Sequence, residues 1–345
     1  MTELMLQAQQ LSKHYPVKTG VLFRHRTGQV RAVDGIDLEL RRGETLGVVG
    51  ESGCGKSTLA RLLVGLERPT SGTILVNGTD LRTLDQSDLR AARRDIQIVM
   101  QDPYSSLNPR MTIGDIVGEP FKIHNNVVPR KHRVPRVREL LELVGLNPDH
   151  LNRYPHQFSG GQRQRVSVAR AIALQPRTIV LDEPISALDV SIQAQVVNLL
   201  RKLQRELSLS YVFIAHDLSA VRHISDRVAV MYLGNIVELG TTNEVFDHPV
   251  HHYTRALLSA VPPPDPTFRG KREQIILDGE PPSPANPPSG CRFRTRCWQA
   301  RDRCAEQQPE LQIHEPSRHE AACHFPHNEQ PVPLAEGHPG EAATR

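Results

Sequence analysis

Apolar residues recur in short bursts along most of this chain, and their spacing switches between strand and helix periods. The first forty or so residues read as strands: IDLEL at 36–40 alternates apolar and polar positions, as a half-buried strand does. TLGVVG at 45–50 is a short apolar run ending in glycine. In KSTLARLLVGL the residues Leu59, Leu62, Leu63 and Leu66 share one helical face. GTILVNGTDL carries Asn77-Gly78 behind a strand-like run, a hairpin signal. IQIVM at 96–100 reads as a buried strand. From about 102 the chain becomes rich in Pro, Asn, Arg and His, with helical pieces such as VRELLELVGL. This predicts an inserted, mostly helical subdomain over about 102–160. Alternation then resumes with TIVLDEP, a helix over about 190–207, YVFIAHD and RVAVMYLG. Strands alternating with helices predict a parallel sheet covered by helices.

The pattern fades after Val261. PPPDP and GEPPSPANPPSG read as an extended, proline-rich linker rather than packed core. The expected division is a nucleotide-binding domain at 1–262, a linker at 263–290, a four-cysteine module at 291–325 and a disordered tail at 326–345. No internal repeat is visible.

Composition narrows the class. The 345 residues carry a formal net charge of +4, with 38% apolar and 4% aromatic residues. Charges of both signs are mixed along the chain, so a solvated surface explains the balance and nucleic acid is not called for. No apolar run approaches the ~18 residues of a membrane span. MTELMLQAQQLSK is polar where a signal peptide is apolar, so a cytosolic location is expected. There, clustered cysteines point to a metal site or redox chemistry rather than structural disulfides.

The chemistry starts at GESGCGKST, residues 50–58. It matches the phosphate-binding loop pattern G-x4-G-K-S between an apolar strand and a helix, the context that pattern requires. Gly50, Glu51, Ser52, Gly53, Cys54 and Gly55 wrap backbone N–H groups around phosphates. Lys56 supplies a point charge, the Ser57 hydroxyl can coordinate Mg²⁺, and Thr58 continues the loop into the helix. Cys54 is read as a small filler, not a nucleophile. Asp182 ends the apolar strand of TIVLDEP, where a carboxylate can hold Mg²⁺ through water. Glu183 follows as a candidate general base. FSGGQRQRVSVARA opens a helix with Ser159, Gly160, Gly161 and Gln162, a second anion-binding helix start. One chain with one phosphate-binding loop has no evident need for two. Two chains arranged head to tail do, each clamp closing on nucleotide held by the other.

The phosphate loop, SGGQ and LDEP in this order resemble the ATP-binding subunit of an ABC transporter. The resemblance covers roughly residues 4–260, and it implies a RecA-like α/β core with an antiparallel β subdomain and a helical subdomain. It also implies roles for further residues. Tyr15 matches the aromatic that stacks on adenine. Gln101 matches the glutamine that senses the γ-phosphate, approaches Mg²⁺ and faces the membrane partner. Ser186, Ala187, Leu188 and Asp189 match the loop that crosses the dimer interface. His216 matches the switch histidine. Phe158 stands where the family more often has leucine, an apolar-for-apolar change.

The likeness narrows further. HYPVKTGVLFRHRTGQVRAVDGIDLEL, MQDPYSSLNPRMTIGDIV, LDEPISALDVSIQAQV and HPVHHYTRALLSAVP are similar to dipeptide/oligopeptide permease ATPases, and the GCGKST loop to their F-type member. This implies a peripheral subunit on the cytoplasmic face of the inner membrane. It would pair with a second, D-type ATPase on two membrane permease subunits served by an extracytoplasmic peptide-binding protein. The same machine importing a nickel chelate or similar small ligand is the alternative. A soluble, non-transport ABC ATPase fits less well, because the chain has one phosphate-binding loop and no sustained heptads. A metal-centred regulatory protein with an accessory ATPase also fits less well, against a complete ATPase motif set.

The four late cysteines, Cys291, Cys297, Cys304 and Cys323, are spaced C-x5-C-x6-C-x18-C. Structural zinc sites favour tighter pairs, whereas a cubane takes one thiolate per iron. The family resemblance implies a [4Fe–4S] cluster; zinc and no metal remain the alternatives. Arg292, Arg294, Arg296, Arg301 and Arg303 lie among the first three cysteines, and are expected to keep the thiols partly deprotonated. Phe293 and Trp298 are expected to pack a small core.

Overall fold

The computed structural model describes residues 3–19, 25–102, 106–261, 274–315 and 319–327, with backbone alone at 17–19 and 25–27. The chain divides into two compact units, one of Met1–Ile236 with Pro282–Pro287, the other of Val237–Pro281 with Pro288–Arg345.

In the first unit, strands β1 (Leu4–Thr19) and β2 (His25–Arg41) form a long antiparallel pair. The alternation read at 36–40 is seen as Ile36, Leu38 and Leu40 buried. Strand β3 (Thr45–Val49) is buried throughout and leads to helix α1 (Lys56–Leu63). Strands β4 (Ser71–Val76) and β5 (Thr79–Asp80) turn at Asn77-Gly78 as read from the sequence, completing a 4-stranded sheet of order β2-β1-β4-β5. Helix α2 (Gln86–Ala92) and strand β6 (Ile96–Val99) follow.

The inserted segment is helical, as expected. It holds α3 (Ile113–Ile123) and α4 (Arg133–Leu143), and α5 (Gly160–Ile172) follows from its end, with Ile116, Val117, Phe121, Val137, Leu140 and Leu141 buried. Then come β7 (Thr178–Asp182), α6 (Val190–Leu207), β8 (Ser210–Ile214), α7 (Leu218–Ile224) and β9 (Arg227–Tyr232). The order β9-β3-β8-β7-β6 is parallel at every neighbour. β3, β7 and β8 are buried at every position, which is why they read as continuous apolar runs. Crossover connections place loop ends at the carboxyl edge of this sheet, where ligands bind in open α/β folds.

Strand β10 (Asn235–Thr241) leads into the second unit, which continues with α8 (Thr242–Asp247), α9 (His252–Ser259), α10 (Asp302–Glu306), β11 (Gln312–Ile313) and β12 (Glu320–Ala321). Here β12 pairs antiparallel with both β10 and β11. The core centres on Glu238, which is wholly buried. Its carboxylate accepts the N–H of Val250 at 2.7 Å and of His251 at 3.0 Å, and lies 2.7 Å from His319 Nε2. These contacts tie residues 237–261 to the late segment, so the unit boundary falls at 236/237, ahead of residue 262. Phe293 packs as expected, 1% exposed against Tyr253 and His251. Trp298 departs from expectation: it is 43% exposed, with its ring edge-on to His252.

The linker also departs from expectation. Pro282–Pro287 is part of the nucleotide unit, anchored by the Arg31 N–H donating to the Pro284 carbonyl at 3.1 Å. Residue 262, linker residues 263–273 and tail residues 328–345 lie outside the described residues. Among the described residues no helix is long and apolar enough to cross a membrane.

Candidate active site

Strand β3 delivers Gly50 to the sheet edge, and the loop closes into α1 through Gly55. That residue has φ 111, and a Cβ on it would lie 1.9 Å from the Ala32 carbonyl oxygen, so only glycine fits. The Lys56 side chain is 4% exposed and folds along the loop. Its ammonium donates to Gly50 O at 2.8 Å and Glu51 O at 3.0 Å. Cys54 is buried and 3.9 Å from that ammonium. Burial pushes its thiol pKa up against the pull of Lys56, which suits a filler and not a nucleophile. An open cleft of about 220 Å³ lies over the loop, bounded by Ser52, Gly53 and Gly55 to Thr58, and also by Val30, Ala32, Gln101, Glu183 and Pro284.

Two carboxylates meet the loop from β7. Ser57 Oγ donates to Asp182 Oδ1 at 3.1 Å, which brings together the two residues expected to hold Mg²⁺. Burial raises the Asp182 pKa; the Ser57 bond opposes this, and the Glu183 charge adds to it. A bound divalent cation would reverse that balance. Glu183 sits in the left-handed region with φ 47, a conformation uncommon for a side-chain residue, and its N–H donates to Ile214 O at 2.9 Å. Its carboxylate accepts Gln101 Nε2 at 2.8 Å, and His216 Nδ1 stands 3.5 Å from the same oxygen. The Glu183 side chain is 14% exposed and that of His216 59%. Two candidates separated in sequence, Gln101 and His216, therefore approach one carboxylate oxygen of a third, Glu183, at the cleft.

Tyr15 does not line the cleft. It is the register partner of Val30, which does. Its hydroxyl donates to Glu67, and the Lys13 ammonium lies 5.1 Å from its ring centre. Burial, then the Glu67 carboxylate, raises its pKa.

The SGGQ segment is also away from the cleft. Ser159 N-caps α5 in a capping box: Gln162 N–H donates to Ser159 Oγ at 3.3 Å, and Ser159 N–H to Gln162 Oε1 at 2.9 Å. Ser159 and Gln162 are exposed while Gly161 is buried. The loop after Glu183 is a tight turn, with Ser186 Oγ donating to Glu183 O at 3.1 Å. Gln193 Nε2 holds the carbonyls of Ile185 and Leu188 at 3.1 and 3.0 Å. Ala187 and Asp189 are exposed, and Asp189 caps α6 without a side-chain bond.

The cysteines are all free thiols, with Cys304 buried and Cys291, Cys297 and Cys323 half-buried. For Cys291, Cys297 and Cys323 the expectation that arginines keep the thiols deprotonated is overturned. Burial raises the pKa of Cys291, of Cys297 to about 11, and of Cys323 to about 12. Arg294, whose charge opposes the rise at Cys291 without overcoming it, donates to Ser289 O at 2.9 Å, and Arg301 lies over the Phe325 ring at 4.2 Å. Among the described residues no three His, Cys, Asp or Glu side chains are grouped as they would be around one metal ion.

Two features of the fold escaped the sequence reading. Glu238 was visible only as an acid inside the apolar run NIVELG, a pattern that marks a buried, partnered charge. Pro284 had no local signal.

Comparison with known proteins fixes the family. The ABC transporter family model matches residues 33–186, and the model for the oligopeptide/dipeptide transporter C-terminal region matches 237–304. A putative oligopeptide transport ATP-binding protein of Bacillus subtilis, YkfD, is 54% identical over 324 residues, 94% of this chain and 96% of the relative. The chain belongs to the ABC transporter family, in its oligopeptide/dipeptide branch. The oligopeptide transport ATP-binding protein OppF of Escherichia coli is 53% identical over 93% of this chain and 96% of its own. The dipeptide transport ATP-binding protein DppF of Haemophilus influenzae is 53% identical over 90% and 93%. Among solved structures, the ATP-binding cassette MJ0796 as a dimer bound to ADP and Pi aligns with TM-score 0.61 and 30% identity, over 69% of this chain and 99% of that one. CbiO1 from Clostridium perfringens aligns with TM-score 0.60 and 28% identity, over 71% and 91%. The fold is that of an ABC ATPase, and the second unit begins at the residue where the C-terminal region match begins.

Proposed function

We propose that this chain hydrolyses ATP to energise an importer of di- and oligopeptides, as a peripheral subunit on the cytoplasmic face of the membrane. It would work as a heterodimer with a second ATPase on two membrane subunits, cargo being delivered by an extracytoplasmic binding protein. The observation that carries the catalytic reading is Glu183, held by Gln101 and flanked by His216 over the phosphate loop. Lys56 and the loop N–H groups hold the phosphates, and Tyr15 is the base-stacking candidate. Ser57 and Asp182, with Gln101 near, would hold Mg²⁺, which neutralises phosphate charge when bound. Glu183 accepts a proton from the attacking water while His216 orients it. Ser159 to Gln162 and Ser186 to Asp189 act across the interface between the two ATPases, and the exposure of Ser159, Gln162, Ala187 and Asp189 outside the cleft supports a role in trans. ATP contacts made only in the closed pair drive closure, and hydrolysis releases it. The test is Glu183→Gln in the assembled transporter. Turnover should fall by about a hundredfold or more with ATP-bound closure retained; wild-type turnover would overturn the base assignment.

The same reading places a [4Fe–4S] cluster on Cys291, Cys297, Cys304 and Cys323. All four thiols are free, and none of them is fully exposed. One zinc ion needs ligands converging on a point, whereas a cluster takes one thiolate per iron at wider spacing. When bound, it would supply a metal staple for a segment with little core of its own. Iron and acid-labile sulfide in equal amounts after anaerobic purification are expected; zinc, or no metal, would sink this assignment.

A further inference from the structure

The segment 282–287 leaves the cysteine-bearing unit, joins the nucleotide unit, and returns at Pro288. Pro282, Pro284 and Pro287 are half-buried, while Ser283, Ala285 and Asn286 face solvent. The segment is a formed turn. Asn286 N–H donates to Ser283 O at 3.0 Å, and Ala285 N–H to Ser283 Oγ at 3.3 Å. It is attached to β2, the outer strand of its sheet. Outer strands carry backbone donors available to another segment, and the Arg31 N–H uses the Pro284 carbonyl. The residues flanking Arg31, Val30 and Ala32, line the cleft over the phosphate loop, and so does Pro284 itself.

Val30, Ala32 and Pro284 give that cleft an apolar wall. Such a wall suits the faces of a base and ribose, not a triphosphate, which requires N–H and cationic donors. Val30 is also paired in register with Tyr15, the aromatic expected to meet the base. Proline rings lose little conformational freedom on forming such a contact. We propose that the 282–287 strap is part of the nucleotide site, with Pro284 packing against the base and ribose of ATP held by the phosphate loop. This rests on the ATP-binding reading of the cleft.

The test uses the purified full-length chain. Binding of Mg-ATP and of inorganic tripolyphosphate is measured for wild type, Pro284→Gly, a variant with 282–287 replaced by Gly/Ser at equal length, and Lys56→Ala. Both strap variants should bind ATP about three- to tenfold more weakly and tripolyphosphate within about twofold of wild type. Lys56→Ala should lose both ligands. ATP affinity at the wild-type level in both strap variants, with Lys56→Ala defective, overturns the strap's role alone. Equal weakening of both ligands by the strap variants also overturns it, since base contact is then not what was lost. Wild-type ATP binding by Lys56→Ala overturns the ATP-site reading and the proposal with it. In the wild-type chain, ATP should slow hydrogen exchange at Ala285 and Asn286 more than tripolyphosphate does; equal effects count against the proposal even if the variants misfold.

Discussion

Gln101 Nε2 donates to Glu183 Oε2 at 2.8 Å, joining residues 82 positions apart. The same oxygen faces His216 Nδ1 at 3.5 Å. The carboxylate assigned as base is therefore oriented by two side chains from other strand ends. Gln101→Ala removes the amide that fixes it. Turnover should drop roughly ten- to hundredfold through lost orientation, with a smaller change in KM. Steady-state kinetics of the assembled transporter separate the two; a change in KM alone would show that Gln101 serves binding only.

The SGGQ helix packs against the helix that follows the LDEP loop. A Cβ on Gly161 would lie 2.4 Å from Ile192 Cγ2. Gly161→Ala should cost about 1–3 kcal/mol through overpacking. Ile192→Ala in the same chain should restore part of that loss, because the two positions share one contact. Urea midpoints of the two single variants and the double variant measure it; additive losses would place the strain elsewhere.

What the sequence made legible was local. The helix expected over about 190–207 spans Val190–Leu207 and ends at Ser208 in the left-handed region, φ 53. Asn77-Gly78 turned where expected because its chemistry selects a tight turn on its own. The phosphate loop was readable because its glycines, lysine and serine are contiguous. Glu238 and His319 meet across 81 positions, and Pro284 reaches Arg31 from the far end of the chain. Such contacts follow from tertiary packing, which a single sequence does not encode in any short window. The cysteines failed differently: nearby arginines were visible, but their engagement with Ser289 and Phe325 was not.

The thiols of Cys297 and Cys323 are pushed up to about 11 and about 12 by burial. Thiolate is the reactive form, so in metal-free protein at pH 8 Cys297 should alkylate roughly a hundredfold and Cys323 roughly a thousandfold more slowly than in the unfolded chain. Iodoacetamide labelling followed by peptide mass spectrometry reads each site. Reaction at the unfolded rate would mean that the segment is open, and that burial does not protect these thiols.

His251 is wholly enclosed in the second unit, and burial lowers its pKa from 6.5 to about 3. The neighbouring His252 charge adds to the shift. Between those values the unfolded chain binds a proton that the folded chain refuses. Stability from this group is therefore complete above pH 6.5 and is lost as pH falls toward 3. From pH 7 to pH 5 the loss should be about 2 kcal/mol. His251 Nδ1 also accepts the Tyr253 N–H at 3.1 Å as the cap of α9. His251→Asn keeps a capping acceptor and removes the titration. Its stability should change less between pH 7 and pH 5 than that of the wild type, by about the same 2 kcal/mol. Parallel pH profiles for the two proteins would assign the acid sensitivity to another group.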